Sequence, residues 1–141
     1  MGLLDKFKKR KIEYTNVLDS KRLCRSFKAA FEGIESTYKK EQNIKIHTFF
    51  TVLVVIFGIL FKINYVEWLV CFILIGLVLM AEFFNTAIEY VVDLASPDIH
   101  PLAKAAKDTA SAGVLMMAII SALVGGVIFV PKVVQFIGGL L

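Results

Sequence analysis

Three long apolar stretches constrain this 141-residue chain more than any other feature. Ile46 to Phe61 carries no formal charge over sixteen residues, an apolar run reaches from Trp68 to Ala81, and Thr109 to Pro131 is uncharged for 23. At a rise of about 1.5 Å per residue the first stretch makes about 24 Å of helix. That is short for a ~30 Å hydrocarbon core unless Ile44 and the aliphatic stem of Lys62 extend it. The third stretch crosses comfortably, loosened near its end by Gly125-Gly126, with Pro131-Lys132 as the expected exit. With 57% hydrophobic residues and a mean hydropathy of +0.72, a soluble domain of this size could not hide its apolar surface, because small chains bury the smallest fraction of theirs. The expected solvent for most of the chain is lipid.

The formal charge of +4 does not point to nucleic acid. Twelve of the sixteen basic residues fall before residue 47, densest at Lys8, Lys9, Arg10 and Lys11, and only Lys62, Lys104, Lys107 and Lys132 follow. Such a distribution reads as a topology signal, with the N-terminus and second loop cytoplasmic and the first loop and C-terminus outside. No apolar core follows the first charges directly, so a cleaved signal peptide is not expected. Cys24 and Cys71 have no metal-type spacing, and neither a disulfide nor a zinc site is expected. From Asp19 or Ser20, either a suitable N-cap, Leu23, Phe27, Ala30, Phe31, Ile34 and Tyr38 recur at steps of three and four between basic residues. This periodicity predicts an amphipathic helix, lying in the membrane interface or packed on other helices. The expected organisation is a basic cytoplasmic tail over 1–18 and one membrane domain over 19–141, with a surface helix over about 19–40 and spans over about 44–62, 66–94 and 106–131. The fold class is all-α integral membrane.

The chemistry concentrates where the second span ends. Glu82, Asn85, Glu89 and Asp93 are spaced by 3, 4 and 4, which aligns them on one helix face. An unpaired acid at membrane depth costs a few kcal/mol, so this stripe needs a cationic counterpart. Lys104, Lys107, an arginine of the first helix or a divalent metal are the candidates, and structural ion pairs between helices are the plain alternative. The second loop adds Asp98, His100, Lys104, Lys107 and Asp108, followed by the small residues Ala110, Ser111, Ala112 and Gly113 that permit close helix approach. Neither a phosphate-cradling glycine loop nor a dinucleotide fingerprint is present. The residues alone reach a cation-binding site facing the cytoplasm.

Glu82-x-x-Asn85-Thr86-Ala87-Ile88-Glu89-x-x-Val92-Asp93, then His100, then Ala106-Lys107-Asp108, resemble the signature of the small bacterial integral-membrane diacylglycerol kinase family. Phe27-x-x-Ala30-x-x-Gly33, Glu41-x-Asn43-x-x-x-His47, Glu67-Trp68-Leu69, Val91-Val92-Asp93-Leu94-Ala95-Ser96 and Phe129-Val130-Pro131-Lys132 look most like its Gram-positive undecaprenol kinase branch. The resemblance runs from about Arg22 to Lys132. It implies an ATP-dependent lipid kinase of the bacterial cell membrane, a homotrimer with active sites between subunits at the membrane surface.

On matching positions, the resemblance makes Glu82 the base that deprotonates the lipid hydroxyl, supported by Asn85, and makes Glu41 and Glu89 the ligands of the Mg2+ that bridges ATP phosphates. Glu41 fits better than Glu35 because it keeps the family's separation from Glu82 without a gap. Arg22, Asp98, His100, Lys107 and Asp108 would join Glu41 and Glu89 around the nucleotide. Phe27, Ala30 and Phe31, with Ser111 and Ala112, are candidates for the lipid's path. The expected reaction phosphorylates undecaprenol. Diacylglycerol as acceptor is the first alternative, and a non-enzymatic cation-binding membrane oligomer the second. Glu82 is the deepest acid of the stripe, which suits a base, whereas Glu89 lies nearer water, which suits a metal ligand.

Overall fold

The computed structural model describes residues 20–139, so the basic tail and the candidate cap Asp19 lie outside the described residues. Four helices follow one another: α1 (Ser20–Lys40), α2 (Gln42–Leu60), α3 (Tyr65–Ala95) and α4 (Pro101–Gly138). No strand occurs among the described residues. The last three helices are each long and apolar enough to cross a membrane. By its contacts the chain divides into two units, one ending at Ser36 and the other beginning at Thr37.

In the first unit, Leu23, Phe27, Phe31 and Ile34 of α1 are all exposed. In the second unit the buried apolar set is only Ile44, Ile63, Cys71, Val78 and Val114 among the described residues. Phe49, Phe72, Leu115 and Leu123, among many others, point outward. Apolar residues outside and a thin core inside suit a chain solvated by hydrocarbon, where exposed apolar surface carries no penalty.

The turn from α2 into α3 is tightly specified. Lys62 adopts a left-handed conformation at φ 50°, with Lys62 N–H donating to the Ile59 carbonyl and Ile63 N–H to that of Gly58. This is the Schellman closure of a helix C-terminus, here with lysine where glycine is usual. Gly58 is required for another reason: a Cβ there would stand 2.6 Å from the Trp68 ring. Asn64 then caps α3 in a reciprocal box, its side chain accepting from Glu67 N–H while Glu67 accepts from Asn64 N–H.

The ends of α3 and α4 show where local signals win and lose. Ser96-Pro97 stops α3: the helix ends at Ala95 with Ser96 as its C-cap. Pro131, by contrast, lies inside α4, which continues to Gly138. Proline removes one backbone hydrogen bond there, but tertiary contacts beyond it hold the helix: Lys132 pairs with Glu67 at 3.1 Å and the Phe136 ring meets Phe61 edge-on at 5.8 Å. The 38 residues of α4 amount to about 57 Å, well beyond one hydrocarbon thickness. Among α2, α3 and α4 lies an apolar cavity of about 370 Å³, reached by His47, Val54, Cys71, Val78, Ser121 and Phe129.

Candidate active site at the acidic end of the second span

Glu82 lies 17 residues into α3 after Tyr65, about 26 Å along its axis, so the acid stripe occupies the far end of the span. Glu82 is fully buried, Asn85 is buried and Glu89 is half-buried, which follows from one helix face turning inward at every third or fourth residue. Thr86 fixes that face by donating its hydroxyl to the Glu82 carbonyl at 3.0 Å. Both carboxylate oxygens of Glu82, together with Asn85 Oδ1, are buried without a hydrogen-bond partner. Buried acceptors are nearly always satisfied, so three on one short helix segment mark a place where the protein alone is incomplete.

Much of the charge facing the stripe comes from residues that the spacing did not nominate. Lys40 Nζ sits 3.0 Å from Glu89 Oε2 and 3.3 Å from Glu41 Oε1 and lies over the Tyr90 ring at 4.3 Å. Burial works against the Lys40 charge, but hydrogen bonds and attraction to Glu89 and Glu41 outweigh it and hold its ammonium above the ordinary lysine range. His47 Nε2 lies 3.3 Å from Glu82 Oε1, within ion-pair reach but not aligned as a hydrogen bond. Lys107 does join the stripe, at Asp93, 2.5 Å away. Lys104 instead pairs with Asp108 at 2.6 Å, one turn along its own helix.

Other nominated residues take these places. Asn85 donates its amide to Glu89 at 3.1 Å, so it supports that carboxylate and not Glu82. This departs from the expected pairing because an i to i+4 step aligns two side chains better than i to i−3 here, and Glu82 is turned toward α2. Asp98 and His100 are exposed on the α3–α4 connection, with His100 capping α4 by accepting from Leu102 N–H at 3.2 Å. Ser111 and Ala112 are exposed on α4. Arg22, Phe27, Ala30 and Phe31 lie exposed on α1 within the first unit.

No cluster of three or more His, Cys, Asp or Glu groups close enough to hold a metal occurs among the described residues. Two carboxylates do converge on one cationic atom, since Glu41 and Glu89 both meet Lys40 Nζ. That donor set fits magnesium, which is commonly held by one or two protein carboxylates plus substrate phosphates and waters. Lys40 and His47 escaped the spacing argument although each had a signal. Lys40 adjoins Glu41 in sequence, and His47 is the titratable side chain inside the first uncharged stretch, where ionisable groups are functional by default.

The model of the family described as prokaryotic diacylglycerol kinase matches residues 28–129. The undecaprenol kinase of Bacillus subtilis is 43% identical over 111 residues, covering 79% of this chain and 90% of that protein. The diacylglycerol kinase of Synechocystis is 36% identical over 111 residues, covering 78% of this chain and 63% of that protein. That of Helicobacter pylori is 30% identical over 105 residues, or 72% of this chain and 82% of its own. The match extends through α2 and α3 and takes in Glu41, the N-cap of α2, with His47, Glu82 and Glu89 on the helices themselves. The chain is therefore a lipid kinase and belongs to the prokaryotic diacylglycerol kinase family.

Proposed function

We propose that the chain transfers the γ-phosphoryl group of Mg-ATP to the hydroxyl of undecaprenol at the cytoplasmic membrane face, forming undecaprenyl phosphate. The observation that carries this reading is Glu82, a fully buried carboxylate with neither oxygen hydrogen-bonded, the first acid of the stripe along α3. The choice of polyprenol over diglyceride leans on the 43% identity to a protein named undecaprenol kinase.

In this scheme the lipid hydroxyl gives its proton to Glu82 as its oxygen bonds to the γ-phosphorus, the bond from that phosphorus to the bridging oxygen breaks, and ADP leaves. Such transfers need positioning and charge neutralisation more than covalent chemistry. Glu41 and Glu89 would hold the magnesium that enters with ATP, and that ion supplies neutralisation of phosphate charge. Asn85 steadies Glu89 through the hydrogen bond between them. Lys40 Nζ lies between the two carboxylates, where such an ion would be held. Arg22, Asp98, His100, Lys107 and Asp108 contact the nucleotide, and Phe27, Ala30, Phe31, Ser111 and Ala112 border the lipid's path. Burial of Glu82 keeps water from the base, which limits wasteful ATP hydrolysis.

The working unit in this reading is a homotrimer with sites between subunits. Its first helix rides in the membrane interface, and its N-terminus is cytoplasmic with the C-terminus outside. The experiment is Glu82→Gln in the assembled protein. Turnover should fall by on the order of 10²–10⁴-fold, the usual worth of a general base, with nucleotide binding and assembly retained. Near-normal transfer would remove Glu82 from the role of base.

A further inference from the structure

The lipid-kinase reading leaves one close contact of Glu82 without a task. His47 projects from α2 with its side chain 19% exposed, against 1% for that of Glu82, and its Nε2 stands 3.3 Å from Glu82 Oε1. The backbone around His47 is pinned by hydroxyls: Thr51 donates to the His47 carbonyl at 2.9 Å and Thr48 to that of Ile44 at 2.7 Å. Thr48 also shares a 2.6 Å hydrogen bond with the Tyr38 hydroxyl, and Ile44 is itself fully buried. The remaining charged groups of the site are already engaged, Glu41 and Glu89 with Lys40 and Asp93 with Lys107. The Asn85 amide is committed to Glu89. His47 also lines the largely apolar cavity, together with Val78, Cys71 and Ser121.

We propose that His47 is a positioning residue for Glu82, its Nε2 holding Oε1 of that carboxylate so that Oε2 is left facing the acceptor hydroxyl. The inference rests on the kinase reading, with Glu82 as base, and adds to it the group that orients the carboxylate. A glutamate has three rotatable side-chain bonds, and a base misplaced by about 1 Å loses on the order of 10²-fold in rate. One oxygen tied to a ring anchored on another helix removes that freedom. The contact is not yet an aligned hydrogen bond. Catalytic hydrogen bonds are commonly loose before substrate arrives and tighten in the reactive complex.

The test compares His47→Leu and His47→Gln in the full-length assembled protein, measuring kcat and both KM values for undecaprenol and Mg-ATP. Glutamine places an amide N–H close to the position of Nε2, whereas leucine keeps bulk without a donor. Leucine should lower kcat by on the order of 10²-fold with both KM values little changed, and glutamine should restore most of it. Wild-type kcat in the leucine variant, or equal loss in both variants, would overturn the proposal. Should the leucine variant fail to assemble, the ¹⁵N signal of the His47 ring decides, since His100 is the one other histidine of the chain. Glu82→Gln should move that signal and Glu89→Gln should not, and a His47 signal indifferent to Glu82→Gln would overturn the contact. A wild-type protein that phosphorylates no lipid would instead sink the kinase reading alone, because the nitrogen signal reports the pair without turnover.

Discussion

The second unit carries charge at both ends of its long helices and treats it in opposite ways. At the α2–α3 turn, Glu67 Oε2 accepts from Asn64 N–H at 2.7 Å and meets Lys132 at 3.1 Å, while Asn64 Oδ1 accepts from Glu67 N–H at 3.0 Å. Acid, cap and lysine form a closed set. At the far end of α3, Glu82, Asn85 Oδ1 and Glu41 Oε1 are buried with acceptors unsatisfied. The first arrangement is what a chain does with charge it needs only for structure, because each group finds its complement locally. The second keeps acceptors in reserve, and buried acceptors are costly enough that their persistence points to ligands that complete them.

The largest effect that would sharpen this contrast is loss of the paired carboxylates. Glu41→Gln with Glu89→Gln should lower phosphate transfer by on the order of 10²–10³-fold, the scale for removing electrostatic stabilisation of developing charge, and raise the magnesium needed for what remains. Titration of the rate with magnesium measures it. An unchanged magnesium dependence would mean that these two acids only anchor Lys40. A structural change at the opposite end should act on stability instead. Gly58→Val drives a side chain into the Trp68 ring and should cost about 1–3 kcal/mol as overpacking, read by thermal unfolding in detergent.

The two ends also differ in how far the sequence disclosed them. The helices were legible because uncharged length is a signal read directly along the chain. The acid stripe was legible because a helix converts spacings of 3, 4 and 4 directly into a face. Two of its partners were not, since Lys40 and His47 reach Glu89 and Glu82 from other helices, 49 and 35 residues away in sequence. Only packing brings them together. Asn85 illustrates the same limit, because spacing puts it beside both Glu82 and Glu89 and only side-chain geometry selects Glu89. Pro131 is the converse case, a local stop signal overridden by contacts of Lys132 and Phe136.

Two smaller effects extend the comparison. Asn64→Ala opens the closed set and should cost about 1 kcal/mol, the usual worth of an N-cap, with kcat unchanged. A fall in kcat matching that of the acid-stripe variants would erase the functional distinction between the ends. The smallest effect concerns pH. Lys40 is held above its ordinary value of 10.5, so the stability it contributes is fully present below that value and lost as pH rises through the higher folded one. Unfolding measured from pH 7 to 9 should show no pH dependence from this group, whose contribution is complete there, with loosening only at stronger alkalinity. Lys40→Met should remove that alkaline loss.

The most direct test of the central claim is phosphate transfer from Mg-ATP in bicelles, with undecaprenol and diacylglycerol offered in parallel to one preparation and a chelator as control. The account predicts rapid product from undecaprenol, slower product from diacylglycerol, and none from either once magnesium is removed. Transfer to neither lipid by a folded assembly would contradict it, and a preference for diacylglycerol would contradict the assigned acceptor while leaving the acid site in place.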